Sequence, residues 1–186
     1  LHLLESGFSL TVYNRTKEKT AGLEKKGAKV VESPKQVAEH SDILITCVKD
    51  ADAVRQVSFE KNGIIEGKHD GLIVADMSTI NPIESRKIAS IFKENGITML
   101  DTPVMGGPNV AINGKLVVMV SGDENAFNKF KNVFETIGNH VFFLGENGVA
   151  HSIKLAMNLQ IAMLALALSE GITLARATSV EPEVFL

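Results

Sequence analysis

Residues 42–48 read DILITCV, a nearly continuous apolar run. A run of this kind is typical of a strand that is buried on both faces of a parallel sheet. On either side of it, segments with strand composition alternate with segments of helical spacing. Such alternation indicates βαβ units, whose connections are right-handed in nearly all cases. We therefore predict an α/β fold, a Rossmann-type, doubly wound parallel sheet.

The remaining elements follow from the same patterns. Ser33 and Asn81 each precede a proline and are predicted N-caps, and Glu84 completes a capping-box pattern with Asn81. Helices are predicted over residues 1–6, 16–26, 34–40, 51–58, 81–95 and 124–137, and strands over 8–13, 28–31, 72–76, 97–101, 116–121 and 141–144. Residues 102–115 are predicted to be a loop that contains glycine and proline.

The chain changes character near its C-terminal end. Helical spacing alone continues over residues 149–178, with no strand candidate after it. We predict that residues 1–146 form the Rossmann domain and that residues 147–186 begin a helical C-terminal domain. The sequence opens without Met inside a helical pattern, LHLLESG, and stops at EPEVFL, which is typical of a helix start. We therefore expect a piece of a longer protein that lacks the first strand and the Gly-rich turn of this fold.

Composition argues against several classes of protein. The formal net charge is −3 and the sequence pI is about 6.0, so no basic surface for nucleic acid is expected. The longest apolar stretch, residues 161–168, is shorter than the roughly 20 residues of a membrane span, so we predict a buried helix and no membrane contact. The single Cys47 excludes an internal disulfide framework, which fits a cytoplasmic protein. No cluster of His and Cys suggests a metal site.

The end of the predicted strand 8–13 is the first candidate cofactor site. In a Rossmann fold, an acidic side chain here holds the ribose 2′-hydroxyl of NAD, whereas an arginine accommodates the 2′-phosphate of NADP. This chain has Asn14, Arg15 and Thr16. Because a guanidinium can pair with phosphate in a bidentate way, these residues favour NADP, with NAD possible. The alternative is a turn in which Asn14 and Thr16 only cap the next helix.

The end of the DILITCV strand is a second candidate cofactor site, because ligands lie outside the carboxyl ends of parallel strands. Val48 and Lys49 occupy this position. The alternative is structural, with Asp50 as the N-cap of the following helix and Lys49 as a surface charge.

Two later strand ends carry groups that could bind a substrate. The segment DMSTINP contains Ser78 and Thr79, which offer hydroxyls. The segment DTPVMGGP contains Gly106 and Gly107, which permit a sharp turn whose N–H groups suit a carboxylate. The alternatives are an ST-turn that only starts the next helix and an ordinary glycine turn.

The long C-terminal helix carries two polar side chains on one face. Lys154 and Asn158 lie one turn apart. A lysine on a helix is usually a surface charge, but the neighbours of Lys154 are apolar, which predicts that its amine emerges into a cleft. Partial desolvation there would lower its pKa toward the working range of an acid/base catalyst. His151, one turn earlier, is interpreted as a variable position at the domain junction and is given no role.

Together these segments resemble the signatures of the β-hydroxyacid dehydrogenases, in order and spacing, over nearly the whole chain. The resemblance rests on DMSTINP, DTPVMGGP, LVVMVSGD, Gly145, Gly148, Lys154 and Asn158. The family includes 3-hydroxyisobutyrate dehydrogenase, tartronate semialdehyde reductase and glyoxylate/succinic semialdehyde reductase.

The resemblance implies a role for each candidate. Lys154 would be the catalytic acid/base, and Asn158 would hold the reacting oxygen or the substrate in line. Ser78 and the 106–107 glycine turn would bind the substrate carboxylate, and Thr79 would lie against the cofactor. No metal is required for this chemistry.

Two positions depart from the family pattern. Met105 stands where a small polar residue is usual, and Met157 replaces one of a usual pair of Asn residues. These departures obscure the substrate more than the reaction class. The resemblance implies an oxidoreductase that moves a hydride between NADP(H) and a small hydroxy acid, semialdehyde or keto acid, is a homo-oligomer at full length, and is poorly active as this chain alone. The alternatives are a non-catalytic dehydrogenase-like interaction module and a nucleotide-sensing regulatory domain.

Overall fold

The structure is a computed structural model and describes residues 1–185. Helices and strands alternate as far as residue 143, and the chain then continues as helix. In chain order the elements are α1 (His2–Glu5), β1 (Thr11–Val12), α2 (Ala21–Glu24), β2 (Lys29–Val30), α3 (Pro34–Ala38), β3 (Ile43–Thr46), α4 (Ala51–Phe59), β4 (Ile73–Asp76), α5 (Pro82–Glu94), β5 (Thr98–Asp101), β6 (Val104–Met105), α6 (Pro108–Ile112), β7 (Leu116–Val120), α7 (Glu124–Ile137), β8 (Gly138–Phe143), α8 (Val149–Ala177) and α9 (Pro182–Phe185). Short 3-10 turns at Lys17–Thr20 and Ile64–Gly67 precede α2 and β4.

The strands form three small sheets that are mostly parallel. β1 pairs with β2, and β3, β4 and β5 pair in that order, with Ile43 opposite Ile73 and Ile73 opposite Thr98. β7 pairs with β8 in parallel, while β6 runs antiparallel to β7. A bridge between Asp101 and Ser121 links the second and third sheets. The predicted Rossmann-type architecture is confirmed, with β6 as an antiparallel addition.

The central strand β4 separates two hydrophobic clusters. Val74 belongs to one cluster, and its neighbours Ile73 and Ala75 belong to the other, because successive side chains of a strand point to opposite faces. Helices α3, α4 and α5 cover the first cluster, in which Phe92 is fully buried. Helix α7 covers the second through side chains such as Phe134. Burial on both faces explains why the strands of this sheet are apolar throughout.

Side-chain caps begin the helices where the sequence predicts them. The Ser33 and Asn81 side chains accept hydrogen bonds from the first turns of α3 and α5. Glu84 does not bond back to Asn81, so the predicted capping box is wrong in this half. Its carboxylate binds Arg55 at 2.6 Å and Lys87 at 2.7 Å instead, because charge-assisted hydrogen bonds are stronger than a bond to one neutral N–H.

Three short segments differ from prediction. The predicted loop 102–115 contains β6 and α6, because Val104 and Met105 find partners on β7. The predicted strand 8–13 shortens to the two residues of β1, which are paired with β2. The predicted helix 16–26 divides into a 3-10 turn and α2.

Helix α8 has its predicted position, but its predicted burial is not observed in the part of the chain that the structure describes. Ala150 and His151, in its first turn, are its buried residues. Large apolar side chains further along are exposed, by 63% for Leu159, 71% for Leu164 and 69% for Leu174. The apolar sequence of α8 is therefore not explained by packing within residues 1–185.

By length and composition, α8 is the one helix of the described residues that could cross a membrane. This is weak evidence, since a core helix of a soluble protein has the same length and composition. The division into residues 1–146 and 147–186 stays a prediction, and Leu186 of the second part lies outside the described residues.

The close packing of Gly67 against α3 yields a first prediction. A Cβ at Gly67 would collide with the main-chain oxygen of Lys35 and lie 3.0 Å from the Ala38 Cβ. We expect Gly67→Ala to lower the free energy of unfolding by about 1–3 kcal/mol, the usual cost of overpacking. Urea unfolding of the full-length protein measures this change.

Gly22→Ala is the matched control, because Gly22 lies in α2 with nothing within 4 Å of its added Cβ. Alanine is the better helix former, so this variant should be neutral or more stable by up to about 1 kcal/mol. Equal stability changes in both variants would contradict the packing described for Gly67.

Candidate functional site

Polar side chains gather where β3, β4 and β5 end at one edge of the sheet. Thr46, the last residue of β3, donates its hydroxyl proton to Asp76 Oδ1 at 2.7 Å. Asp76 and Asp101 end the next two strands in the same register and are fully buried. The loops that leave these strands, together with the first turns of α8, form the candidate site.

Ser78 is buried, although its predicted role in substrate binding requires a hydroxyl that a substrate can reach. It is only 2% exposed, and its Oγ accepts a hydrogen bond from the Val48 N–H at 2.9 Å. Its own N–H donates to Asp76 Oδ1 at 3.1 Å. Ser78 therefore ties the loop after β4 to the loop after β3, while the neighbouring Thr79 is exposed.

The Gly106–Gly107 turn follows β6 and is exposed. Gly106 has φ +126°, and an added Cβ would lie 2.8 Å from Val110 Cγ1 and 2.9 Å from Leu116 Cδ2. Only glycine fits this conformation and this space. Gly107 is the N-cap residue of α6, and nothing lies within 4 Å of its added Cβ. The turn is thus constrained at its first residue and open at its second.

Lys154 reaches this turn from α8. Its Nζ donates a hydrogen bond to Met105 Sδ at 2.9 Å, and the side chain is half-buried. Burial lowers the pKa of the Lys154 amine below the ordinary lysine value. Asn158, one turn further along, is also half-buried. The structure therefore brings the predicted acid/base next to the residue before Gly106, from a part of the chain that is 49 residues away.

The residues predicted to bind the nucleotide ribose all lie on the surface. Asn14, Arg15 and Thr16 are exposed, and Asn14 Oδ1 accepts a hydrogen bond from the Thr16 N–H at 2.9 Å. Asn14 therefore closes a local turn, and its role at a cofactor stays a prediction. Thr16 makes no side-chain cap to the 3-10 turn that follows. Arg15 has no ion pair with any residue in the range 1–185.

Asp50 and Lys49 make local contacts at the end of β3. Asp50 is the N-cap of α4, accepting a hydrogen bond from the Ala53 N–H at 2.9 Å, which lowers the pKa of the Asp50 carboxyl. Lys49 is 91% exposed and lies 3.5 Å from the Asp50 carboxylate. The Val48 N–H is occupied by Ser78. A cofactor role for Val48 and Lys49 remains a prediction.

Sequence reasoning missed a buried ionisable cluster beneath these loops. His151 is fully buried, and its Nε2 lies 4.0 Å from Asp76 Oδ2 and 3.9 Å from Asp101 Oδ1. The available signal was the pair of aspartates that end two consecutive strands. Among residues 1–185, no group of three or more His, Cys, Asp or Glu is arranged to hold a metal ion.

Asp101 fastens the start of α8 to the sheet. It accepts hydrogen bonds from the Ser85 and Ser121 hydroxyls, the Asn147 amide and the Gly148 N–H. Four donors on three segments stabilise one buried carboxylate, which would otherwise be costly to remove from water. The position of α8, and with it Lys154, depends on this carboxylate.

Several known proteins are similar to this chain in sequence and in structure. A probable mitochondrial 3-hydroxyisobutyrate dehydrogenase from Dictyostelium discoideum is 34% identical over 98% of this chain, which spans 57% of that protein. Crystal structures give a similar result. That of 3-hydroxyisobutyrate dehydrogenase from Salmonella typhimurium matches with a TM-score of 0.88 and 28% identity, covering 99% of this chain and 65% of that one.

An imine reductase from Myxococcus stipitatus in complex with NADP+ matches with a TM-score of 0.82 and 26% identity, covering 98% of this chain and 63% of that one. The chain thus spans less than two thirds of each of these three relatives. The resemblance inferred from the motifs is confirmed by these similarities.

The sequence profile described as the NAD binding domain of 6-phosphogluconate dehydrogenase matches residues 1–145. This match includes every strand of the fold and the loops at the strand ends. The chain therefore belongs to the family of the 6-phosphogluconate dehydrogenase NAD-binding domain.

Proposed function

We propose that the protein carrying this chain is an NADP-preferring oxidoreductase that reduces a small semialdehyde or keto acid, or oxidises the matching hydroxy acid. The observation that carries this proposal is the contact between Lys154 Nζ and Met105 Sδ, at 2.9 Å. It puts a half-buried amine of lowered pKa beside the exposed Gly106–Gly107 turn. An amine held in this way is suited to proton transfer in a cleft.

The proposed cofactor site is at the end of β1. The exposed guanidinium of Arg15 has no carboxylate partner among the described residues and is free to pair with a 2′-phosphate. Asn14 puts no negative charge there. Among the relatives, the Myxococcus stipitatus imine reductase structure is of a complex with NADP+, and that of a variant of this enzyme is of a complex with NAD+. Thr79, Val48 and Lys49 would lie along the rest of the cofactor, and NAD remains an alternative.

Lys154 supplies the proton chemistry in this proposal. When bound, the reduced nicotinamide cofactor supplies the hydride. The Lys154 ammonium donates its proton to the substrate carbonyl oxygen, and the neutral amine takes a proton back in the oxidation direction. Asn158 lies one turn away on the same face of α8, where its amide can donate to the same oxygen.

The substrate would be small and would carry a carboxylate. Exposed N–H groups of the Gly106–Gly107 turn suit a carboxylate. The Ser78 hydroxyl, which is buried and accepts a hydrogen bond from the Val48 N–H, would contribute to the same site. Met105 gives the pocket an apolar wall next to Lys154. The names of the relatives favour hydroxy acids of the 3-hydroxyisobutyrate type, and the imine reductase supplies a second substrate class to test.

Removing the amine provides the second prediction. In the full-length protein, Lys154→Met keeps an unbranched side chain that is one atom shorter and removes the titratable amine. We expect kcat to fall by about 10²- to 10⁴-fold, the usual contribution of an acid/base group, while the Kd for NADPH stays unchanged. NADPH oxidation with a panel of semialdehydes, keto acids and imines measures turnover.

Lys93→Met is the matched control, because Lys93 is an exposed lysine in the last turn of α5. It should leave turnover unchanged. Unchanged turnover in Lys154→Met would refute Lys154 as the acid/base. Absence of turnover in the wild-type protein with every substrate of the panel would refute the enzymatic proposal and would leave the interaction module or the regulatory domain.

The third prediction concerns pH. Reduction needs the protonated form of Lys154, and burial lowers the pKa of this amine. The kcat for reduction should therefore be constant at low pH and fall with a midpoint below the ordinary lysine value of about 10.4. The kcat for oxidation should rise through the same midpoint. Rate profiles in both directions check this, and a midpoint at or above the ordinary value would contradict a buried catalytic amine.

The fourth prediction tests the choice of cofactor. Arg15→Ala should raise the KM for NADPH by about tenfold to a hundredfold, the loss expected for a hydrogen bond to a charged group, and should change the KM for NADH little. Lys25→Ala, which removes another exposed cation, is the control. An equal rise for both cofactors would show that Arg15 does not select the 2′-phosphate.

A further inference from the structure

Three ionisable side chains meet beneath the loops of the candidate site, and the proposed chemistry uses none of them. Asp76 ends β4, Asp101 ends β5, and His151 lies in the first turn of α8. All three are 0% exposed. The imidazole Nε2 lies 4.0 Å from Asp76 Oδ2 and 3.9 Å from Asp101 Oδ1. Ionisable groups are rarely buried together unless they are paired.

The two carboxylates have different surroundings. Both oxygens of Asp101 accept hydrogen bonds. Asp76 accepts only on Oδ1, from Thr46 and Ser78. Its Oδ2 has no hydrogen-bond partner among residues 1–185, and neither ring nitrogen of His151 has one. Buried polar atoms without a hydrogen-bond partner are uncommon and call for an explanation. Two of these atoms, Asp76 Oδ2 and His151 Nε2, lie 4.0 Å apart.

Other charged and titratable groups lie on the elements that pack around this cluster. Cys47 follows β3, and burial followed by the Asp76 charge raises the pKa of its thiol, so it is neutral at pH 7. Arg86 of α5 donates from Nε to the Asn147 oxygen at 3.1 Å. Lys154 lies on the same helix as the ring. The two aspartates are thus the anionic groups that face His151.

The helix joins this cluster to the amine. His151 and Lys154 are three residues apart, about 4.5 Å along the helix axis, and on neighbouring positions of one face. The Gly148 N–H is bonded to Asp101, and the Ala150 N–H is bonded to Ser121 Oγ at 3.1 Å. These bonds hold the main chain of the first turn to β5 and β7. The His151 side chain is the part of this turn that reaches β4.

We propose that His151 is a positioning residue for Lys154. Held between the carboxylates of Asp76 and Asp101, its imidazole fixes the first turn of α8 against both strand ends. It thereby sets how deeply the Lys154 amine is buried beside Met105. The catalytic part of this inference rests on the proposed function, whereas the placement of the amine does not.

The pKa of His151 is the result of opposing effects. Burial lowers it below the ordinary histidine value, and the charges of Asp101 and Asp76 act to raise it. Because burial is the larger effect, the folded protein holds the ring neutral at pH 7. A neutral ring still carries one N–H. At 3.9 and 4.0 Å its contact with the two carboxylates is electrostatic and one of packing, not a hydrogen bond.

Two substitutions distinguish a polar role of the His151 side chain from a role in packing alone. His151→Gln keeps an amide near the position of Nε2, whereas His151→Leu keeps a buried side chain without a donor. His140→Gln is the control, because His140 is an exposed histidine on β8. The full-length, cofactor-free protein is titrated, and NMR of the lysine Cε resonances follows the pKa of Lys154 without requiring turnover.

We expect the pKa of Lys154 to rise toward the ordinary lysine value in His151→Leu. It should not change in His151→Gln or in His140→Gln. In turnover, His151→Leu should lower kcat by about tenfold to a hundredfold, as displacement of a catalytic group does. The KM for NADPH should not change. His151→Gln should keep most of the wild-type kcat.

If His151→Leu does not fold, Asp76→Asn takes its place, since it removes one of the charges that hold the ring, and the same upward movement is expected. The inference is overturned if the pKa of Lys154 does not change in whichever of His151→Leu and Asp76→Asn folds. It is also overturned if this pKa changes equally in His151→Leu and His151→Gln. If the variants show these changes in the pKa of Lys154 but the wild-type protein turns over no substrate, the proposed function is refuted and the placement of the amine is not.

Discussion

The Asp101 carboxylate accepts hydrogen bonds from Ser85, Ser121, Asn147 and the main-chain N–H of Gly148. These donors belong to α5, to the residue after β7, and to the turn that leads into α8. A carboxylate without exposure to water is costly unless such donors surround it. The same bonds that stabilise the buried charge therefore fix the start of α8 against the sheet. Every feature of the candidate site that involves α8 depends on this arrangement.

The lowered pKa of Lys154 follows from what lies next to it. Its hydrogen-bond partner is the Met105 thioether, a weak acceptor that offers little compensation for lost hydration. A carboxylate in the same place would favour the charged amine and raise the pKa. In the sequence, Met105 departs from the family pattern, which usually has a small polar residue at this position. In the structure it is the side chain that faces the amine.

Local sequence determined most of the fold. The apolar run at residues 42–48 marks a strand buried on both faces, and the other long strands and helices lie within a few residues of their predicted bounds. Ser33, Asn81 and Asp50 are N-caps because a short polar side chain can reach the N–H groups of the next turn. The family also followed from sequence, because its motifs lie in fixed order along the chain.

The tertiary structure alone decided how the site is assembled, because its contacts join residues far apart in the chain. Ser78 accepts from Val48 across two strands, 30 residues away. Lys154 meets Met105 over 49 residues, and β6 exists only because β7 pairs with it. His151 gave no periodic signal, since one polar residue on an apolar helix has the same pattern whether it is buried or exposed. Its burial between two carboxylates results from the packing of α8 on the strand ends, which local spacing does not encode.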